Sequence, residues 1–223
     1  DDLFTKMVGI RHQIALNAGF RNYRDFQHAR LQRFDYTPAD CERFHEGAEK
    51  VCVPLLRKLN AERAAALGVA PAELRPWDLK VDTKGRGPLK PFDGAEGLAS
   101  LLEDRRLNSA GPITTMVHEA GHAFHSLLCA HDPLVAYRGS PMEFAEVASM
   151  SMELLTYPYL AKFYSAEDAD RARRDHLESL STMLPWIATI DAFQHWIYTN
   201  PTHTRKDREQ YWVHLNDRFG PAV

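Results

Sequence analysis

The sequence predicts a mainly α-helical protein with little β-structure. Helix start signals recur along the chain, apolar residues repeat at helical spacing, and only one short stretch alternates as a strand would. The chain has 223 residues, of which 44% are hydrophobic and 26% are charged. This length is sufficient to bury a core, and the composition is typical of a globular protein rather than a disordered or membrane protein.

Two helical stretches occupy the first quarter of the chain. One runs from Asp2 to about Arg33 and is interrupted near Gly19. The other starts at Thr37, which supplies a hydroxyl N-cap, with Pro38 at the first helical position and Asp40 in the first turn. Apolar residues then recur at helical spacing, which predicts a buried face made of Phe44, Ala48, Val51, Leu55 and Leu59.

The chain from residue 68 to residue 92 differs from its surroundings. Its glycines and prolines exclude a long helix, and the alternation over residues 79–82 predicts a short strand. Downstream, Ser140 to Glu143 form a predicted capping box with proline at the first helical position. The predicted downstream helices cover residues 112–130, 140–157, 165–184, 186–198 and 205–218.

Charge and cysteine content exclude several classes of protein. The formal net charge of -3 gives no large field of one sign, so we expect neither nucleic acid nor a membrane surface as a partner. The N-terminus lacks the layout of a secretion signal, and we expect a cytoplasmic protein. Cys41, Cys52 and Cys129 are odd in number and far apart, which predicts free thiols rather than a disulfide framework or a thiolate zinc site. His195 is expected to be a packed, hydrogen-bonded histidine.

One motif carries chemistry. His118, Glu119 and His122 form the pattern HExxH within the predicted helix over residues 112–130. Residues four apart share a helix face, so the two imidazoles can converge on one metal ion. Glu119 follows the first histidine and can reach a metal-bound water without binding the metal itself. The motif therefore predicts a hydrolytic metal site.

A catalytic zinc usually has three protein ligands and one open position. A metzincin needs a third histidine ten residues after the first, and that position is Leu128, so this class is excluded. His125 could face the same way, but three histidines on one helix rarely complete a tetrahedron. Among the acids of the next helix (Glu143, Glu146 and Glu153), Glu146 is preferred because its apolar neighbours place it towards the interior, with Glu153 the more distant option. Glu143 and Ser149 are candidates for orienting the ligands.

The HExGHxxH run, followed by Glu-x-x-Ser a little under thirty residues later, resembles the oligoendopeptidase F and thimet oligopeptidase family of zinc metallopeptidases. Further segments resemble the oligoendopeptidase F branch, namely residues 33–36, 74–79, 141–146 and 191–196. The resemblance implies a zincin-type (gluzincin) helical catalytic domain with a deep channel that admits short peptides. It assigns His118, His122 and Glu146 as ligands of one zinc ion per chain, and Glu119 as the general base.

The activity implied by the resemblance is that of a zinc metalloendopeptidase. It would hydrolyse peptide bonds in short oligopeptides through a zinc-bound water activated by Glu119. We expect residues 1–223 to form a single catalytic domain that lacks its C-terminal segment, where the family carries transition-state-stabilising side chains. A gap or deletion is also expected within residues 92–113. The chain alone is therefore predicted to be a weak or inactive peptidase.

Two alternatives remain open from the residues. A di-metal carboxylate helical bundle uses Glu-x-x-His pairs, and the chain has two of them, beginning at Glu42 and Glu119. A solvated surface position is the simpler interpretation of the first pair, Glu42 and His45. A non-catalytic peptide-binding relative that keeps the fold is the other alternative.

Overall fold

The computed structural model describes residues 2–87, 89 and 111–221, and these residues form eight α-helices. No β-strand occurs among them, so the predicted mainly α class is confirmed. No helix in this part of the chain combines the length and apolar character needed to cross a bilayer. The helices are α1 (Asp2–Asn17), α2 (Tyr23–Arg30), α3 (Pro38–Gly47), α4 (Val53–Leu67), α5 (Gly111–Cys129), α6 (Met142–Leu155), α7 (Ala166–Thr199) and α8 (Arg205–Phe219).

The chain divides into two compact units, one formed by Asp1–Thr83 with Glu178–Val223 and the other by Lys84–Leu177. The first unit has a core of buried residues drawn from both of its segments: Ala48, Val53, Ala188, Ala192, Leu215 and Phe219. The second unit has its own core, formed by Leu89, Ile113, Leu160, Tyr164, Ala169 and Ala172. The single catalytic domain expected over residues 1–223 stays a prediction. A gap or deletion was expected within residues 92–113. Residues 92–110 of that range lie outside the part of the chain that the structure describes.

Several helices begin or end where capping residues and glycines in the sequence predicted. Thr37 is the N-cap of α3, and its backbone N–H donates to Asp40 Oδ2 at 2.7 Å. The hydrogen bond from the Thr37 hydroxyl lowers the pKa of Asp40, because it favours the charged carboxylate. Gly19 separates α1 from α2 with a φ of 82°, a left-handed conformation that glycine adopts without strain.

The buried face predicted after Thr37 is correct at Ala48, which is 4% exposed, but wrong at Phe44, which is 37% exposed, and at two positions further on. A π-helical turn, Ala48–Cys52, connects α3 to α4 and inserts one residue into the helical repeat. The chain therefore buries Val53 and Leu56, whereas Val51 is 71% exposed and Leu55 is 42% exposed. The inserted residue accounts for the offset after Ala48, whereas Phe44 lies before the turn, where its neighbour His45 is the buried residue.

Three other local predictions need correction. The strand over residues 79–82 is absent from the described structure, because Asp78 accepts from the Arg75 N–H at 2.8 Å and a 3₁₀ turn, Asp78–Lys80, follows. Helix α6 begins at Met142 with Pro141 in the N-cap position, so the capping box at Ser140 does not form. Pro185 lies inside α7, and the two helices predicted on either side of it are one. Proline removes one hydrogen bond, and the long helix on both sides of it outweighs that loss.

Candidate metal centre

Helix α5 presents the two histidines of the HExxH motif on one face. The rings of His118 and His122 pack edge to face with centroids 4.8 Å apart. Their Nε2 atoms are 3.2 Å apart. Both side chains remain partly exposed, at 24% and 31% of their area. The helical spacing has therefore brought two imidazole nitrogens together at a place that solvent can reach.

Helix α6 adds a carboxylate to this pair. Glu146 Oε2 lies 3.4 Å from His118 Nε2, and Glu146 Oε1 lies 3.8 Å from His122 Nε2. Ser149 is buried, and its hydroxyl donates to the Glu146 carbonyl oxygen at 3.0 Å and lies 3.4 Å from Glu146 Oε2. The side chain of Glu146 is 43% exposed. The expected interior position is therefore only partly correct, since the neighbouring Val147 is also 61% exposed.

The absence of a side chain at Gly121 sets the distance between the two helices. A Cβ at this position would lie 2.6 Å from Ser149 Cα and 3.1 Å from the carbonyl oxygen of Ala148. Both are backbone atoms of α6, so they cannot rotate away as the end of a side chain could. Glycine therefore lets α5 approach α6 closely, and this approach brings Glu146 to the two histidines.

The three side chains fit a zinc ion. Tetrahedral zinc with bonds of 2.0–2.1 Å to nitrogen and oxygen places its ligand atoms about 3.4 Å apart. The distances of 3.2, 3.4 and 3.8 Å between these side chains match that spacing closely. One ligand atom from each of His118, His122 and Glu146 lies within 4.8 Å of the others. Three protein ligands leave a fourth position open, as a hydrolytic site requires.

The remaining candidates of the motif region lie near this cluster in the chain. Glu119 is exposed on α5, where solvent or substrate can reach its carboxylate, and its role as the base stays a prediction. Phe124 is 56% exposed, so the motif helix is not buried on all sides. His125 is partly buried on α5 and is not a member of the cluster that His118, His122 and Glu146 form.

Glu153, weighed above as a more distant ligand, contacts the other side of the first histidine. Its Oε1 lies 2.6 Å from His118 Nδ1, and its Oε2 lies 2.5 Å from His176 Nε2. Tyr157 completes the series, with its hydroxyl 2.6 Å from His176 Nδ1. Burial raises the pKa of Tyr157, and the charge of Glu153 adds to this effect. The hydroxyl therefore stays protonated and can donate its hydrogen bond to His176 Nδ1.

The donors and acceptors in this series determine where the protons lie. The Glu153 carboxylate can only accept, so His118 Nδ1 and His176 Nε2 must both donate to it. The Tyr157 hydroxyl then donates to the remaining nitrogen of His176. In the neutral imidazole, a proton on Nδ1 leaves His118 Nε2 as the nitrogen with the free lone pair, and this atom faces His122 and Glu146. This is the tautomer that a metal-ligating histidine needs.

Sequence reasoning missed this positioning series, although part of it leaves a signal. Glu153 follows Glu146 by seven residues, which is two helical turns and places both acids on one face of α6. Nothing in the sequence links either acid to His176, because that contact depends on how the first turns of α7 pack beside α6.

A helix that carries HExxH, packed on a helix that supplies a carboxylate, is the arrangement of helical metallopeptidases. The chain belongs to peptidase family M3. The family's profile matches residues 1–87 and 106–222, which include all of the residues discussed in this section. Comparison with curated protein sequences gave no match.

Solved structures share this fold. A protein assigned as an oligoendopeptidase F from Bacillus anthracis strain Ames superposes with a TM-score of 0.84 at 23% identity, over 99% of this chain and 49% of its own. PZ peptidase A, solved with an inhibitor, superposes with a TM-score of 0.84 at 26% identity, over 99% of this chain and 47% of its own. The chain thus spans about half the length of the structures that it matches.

Proposed function

We propose that this chain carries the catalytic zinc site of an endopeptidase that hydrolyses short peptides. The observation that carries the proposal is the spacing of His118 Nε2, His122 Nε2 and the Glu146 carboxylate, which suits a single tetrahedral ion. Membership of a metallopeptidase family supports both peptides as the substrate class and a metal as the cofactor. The family also favours this function over a di-metal carboxylate bundle.

In this proposal each residue has a distinct role. His118, His122 and Glu146 would hold the ion, which would supply Lewis-acid chemistry for the scissile carbonyl and the attacking water. Glu119 accepts the proton of the attacking water and returns it to the leaving amine. The exposure of Glu119 and of the three ligand side chains leaves the cluster open to a peptide.

The proposal extends to the cell and to the whole protein. The thiols of Cys41, Cys52 and Cys129 are free, which suits a reducing compartment and a cytoplasmic location. The chain spans about half the length of the solved structures that it matches, and we propose that other parts of the whole enzyme supply transition-state-stabilising side chains. Hydrolysis by this chain alone would then be slow, because a missing oxyanion donor costs a factor of roughly 100–1,000 in turnover.

Metal loading tests the ligand assignment without requiring activity. His118→Ala and His122→Ala should each remove one equivalent of bound zinc, measured by elemental analysis after equilibrium dialysis. His125→Ala is the matched control, since it removes an imidazole from the same helix outside the cluster and should leave the zinc content unchanged. Full zinc content in His118→Ala, or loss of zinc in His125→Ala, would contradict the proposal.

The positioning series predicts a smaller effect at the same site. Glu153→Gln keeps the shape of the side chain but cannot accept from both histidines, so His118 loses its fixed tautomer. We expect zinc affinity to fall by about 10–100-fold, measured by competition with a chromogenic chelator. Glu167→Gln, which changes a well-exposed acid in the first turn of α7 that pairs with Arg86, serves as the control and should keep wild-type affinity. Equal affinities in the two variants would show that Glu153 does not position the ligand.

A further inference from the structure

A second group of metal-ligating side chains lies in the other unit of the chain. Helix α3 carries Cys41 and His45 four residues apart, and α7 carries Asp191 and His195 with the same spacing. Each pair therefore occupies one helix face, and the two faces meet. His45 Nε2 donates to Asp191 Oδ2 at 2.7 Å, and the rings of His45 and His195 are 5.8 Å apart.

Three of these side chains converge as ligands would. One ligand atom from each of Cys41, Asp191 and His195 lies within 4.8 Å of the others. His195 Nε2 lies 3.6 Å from Asp191 Oδ2. Nitrogen and oxygen ligands of one tetrahedral zinc are about 3.4 Å apart, and the longer bond to sulfur widens the spacing to a thiolate slightly. The group could therefore hold an ion after small side-chain movements.

His195 is the member that protein contacts leave unsatisfied. Its Nδ1 atom is buried and has no hydrogen-bond partner in the described part of the chain. Its Nε2 atom is 3.6 Å from the nearest carboxylate oxygen, which is too long for a hydrogen bond. A buried ring nitrogen without a partner is costly, and coordination through that nitrogen would supply one.

A simple hydrogen-bonded core explains only part of the group. The bond between His45 and Asp191 accounts for those two residues, and His45 is 96% buried around it. It does not account for the thiol and the second imidazole beside the same carboxylate. In a metal site the His45 bond would have a defined purpose, since ligating carboxylates are themselves held by hydrogen bonds.

We propose that Cys41, Asp191 and His195 form a second metal site, distinct from the catalytic one, with His45 orienting Asp191. A thiolate, an imidazole and a carboxylate together suit Zn²⁺ and exclude Mg²⁺ or Ca²⁺, which require oxygen ligands. Solvent reaches the group through Asp191, whose side chain is 37% exposed. An ion here would cross-link α3 to α7 and stabilise that unit. The zinc content of the chain would then be two, rather than the one predicted from the sequence.

The test isolates this site by removing the other. The chain carrying His118→Ala and His122→Ala should still bind one equivalent of zinc in equilibrium dialysis. The same variant loaded with Co²⁺ should show a sulfur-to-metal charge-transfer band, which reports a thiolate ligand. Adding Cys41→Ala should abolish both the bound equivalent and the band. Cys52→Ala is the matched control and should preserve both, since Cys52 is also a partly buried free thiol.

Two outcomes would overturn the proposal: no zinc bound by the His118→Ala, His122→Ala chain, or a bound equivalent that survives Cys41→Ala. His195→Gln gives a second route to the same loss if Cys41→Ala folds poorly, and circular dichroism checks both variants. Cys41→Ala alone should keep one equivalent at the catalytic site. Failure of the second site is thereby distinguished from failure of the proposed function.

Discussion

Glu119→Gln is expected to retain zinc and to lose most of its peptidase activity. The amide has nearly the shape of the carboxylate but cannot accept a proton, and proton transfer of this kind contributes about 100–10,000-fold to the rate. The change should therefore lower kcat on a fluorogenic peptide by at least about 100-fold. The measurement is made on the full-length protein, with zinc content determined on the same sample.

Zinc content separates the two possible roles of Glu119. If the residue acts only as a base, the variant binds as much zinc as the wild type while its turnover falls. His125→Gln, three residues beyond the second motif histidine, is the control and should change neither quantity strongly. Loss of zinc in Glu119→Gln would make Glu119 a ligand, and unchanged turnover would remove it from the reaction.

Gly121→Ala is expected to destabilise the chain and to weaken zinc binding together. The added Cβ would lie 2.6 Å from Ser149 Cα, so the backbones of α5 and α6 must separate. Overpacking of this kind costs about 3 kcal/mol, measured as the change in the free energy of unfolding in urea. Because the same separation moves Glu146 from the histidines, zinc affinity should fall as well.

Gly9→Ala is the matched control for this substitution. Gly9 lies in the interior of α1, and a Cβ there would have no neighbour within 4 Å. Alanine is favoured over glycine in a helix, so the control should raise stability by about 0.5–1 kcal/mol. If Gly121→Ala behaved like Gly9→Ala, the close approach of α5 and α6 would not determine the geometry of the cluster.

Most helices could be predicted because their ends are determined by local chemistry. The hydroxyl of Thr37, the acid at Asp40 and the flexible Gly19 act within a few residues of their own positions. The pairing of His118 with His122 is local for the same reason, since both lie on one helix. Among the three acids of the next helix, the apolar neighbours of Glu146 made it the preferred ligand, and the resemblance to a known family strengthened that choice.

The features that could not be predicted depend on contacts between distant segments. His176 meets Glu153 because α7 packs beside α6, and the spacing of neither residue signals this contact. Asp191 and His195 meet Cys41 in the same way, so counting cysteines gave no indication of a thiolate ligand. Pro185 led the sequence analysis to predict two helices, but the structure has one continuous helix there. A helix of 34 residues tolerates one missing hydrogen bond.

The π-helical turn at Ala48–Cys52 makes burial in this region depend on the length of the segment. Its additional residue rotates everything downstream by about 100° relative to a regular helix. Deleting any one residue of the turn would restore a regular repeat and swing Val53 and Leu56 away from the core that they enter. The number of residues in this segment therefore determines which side chains are buried, and a variant one residue shorter here must bury a different set.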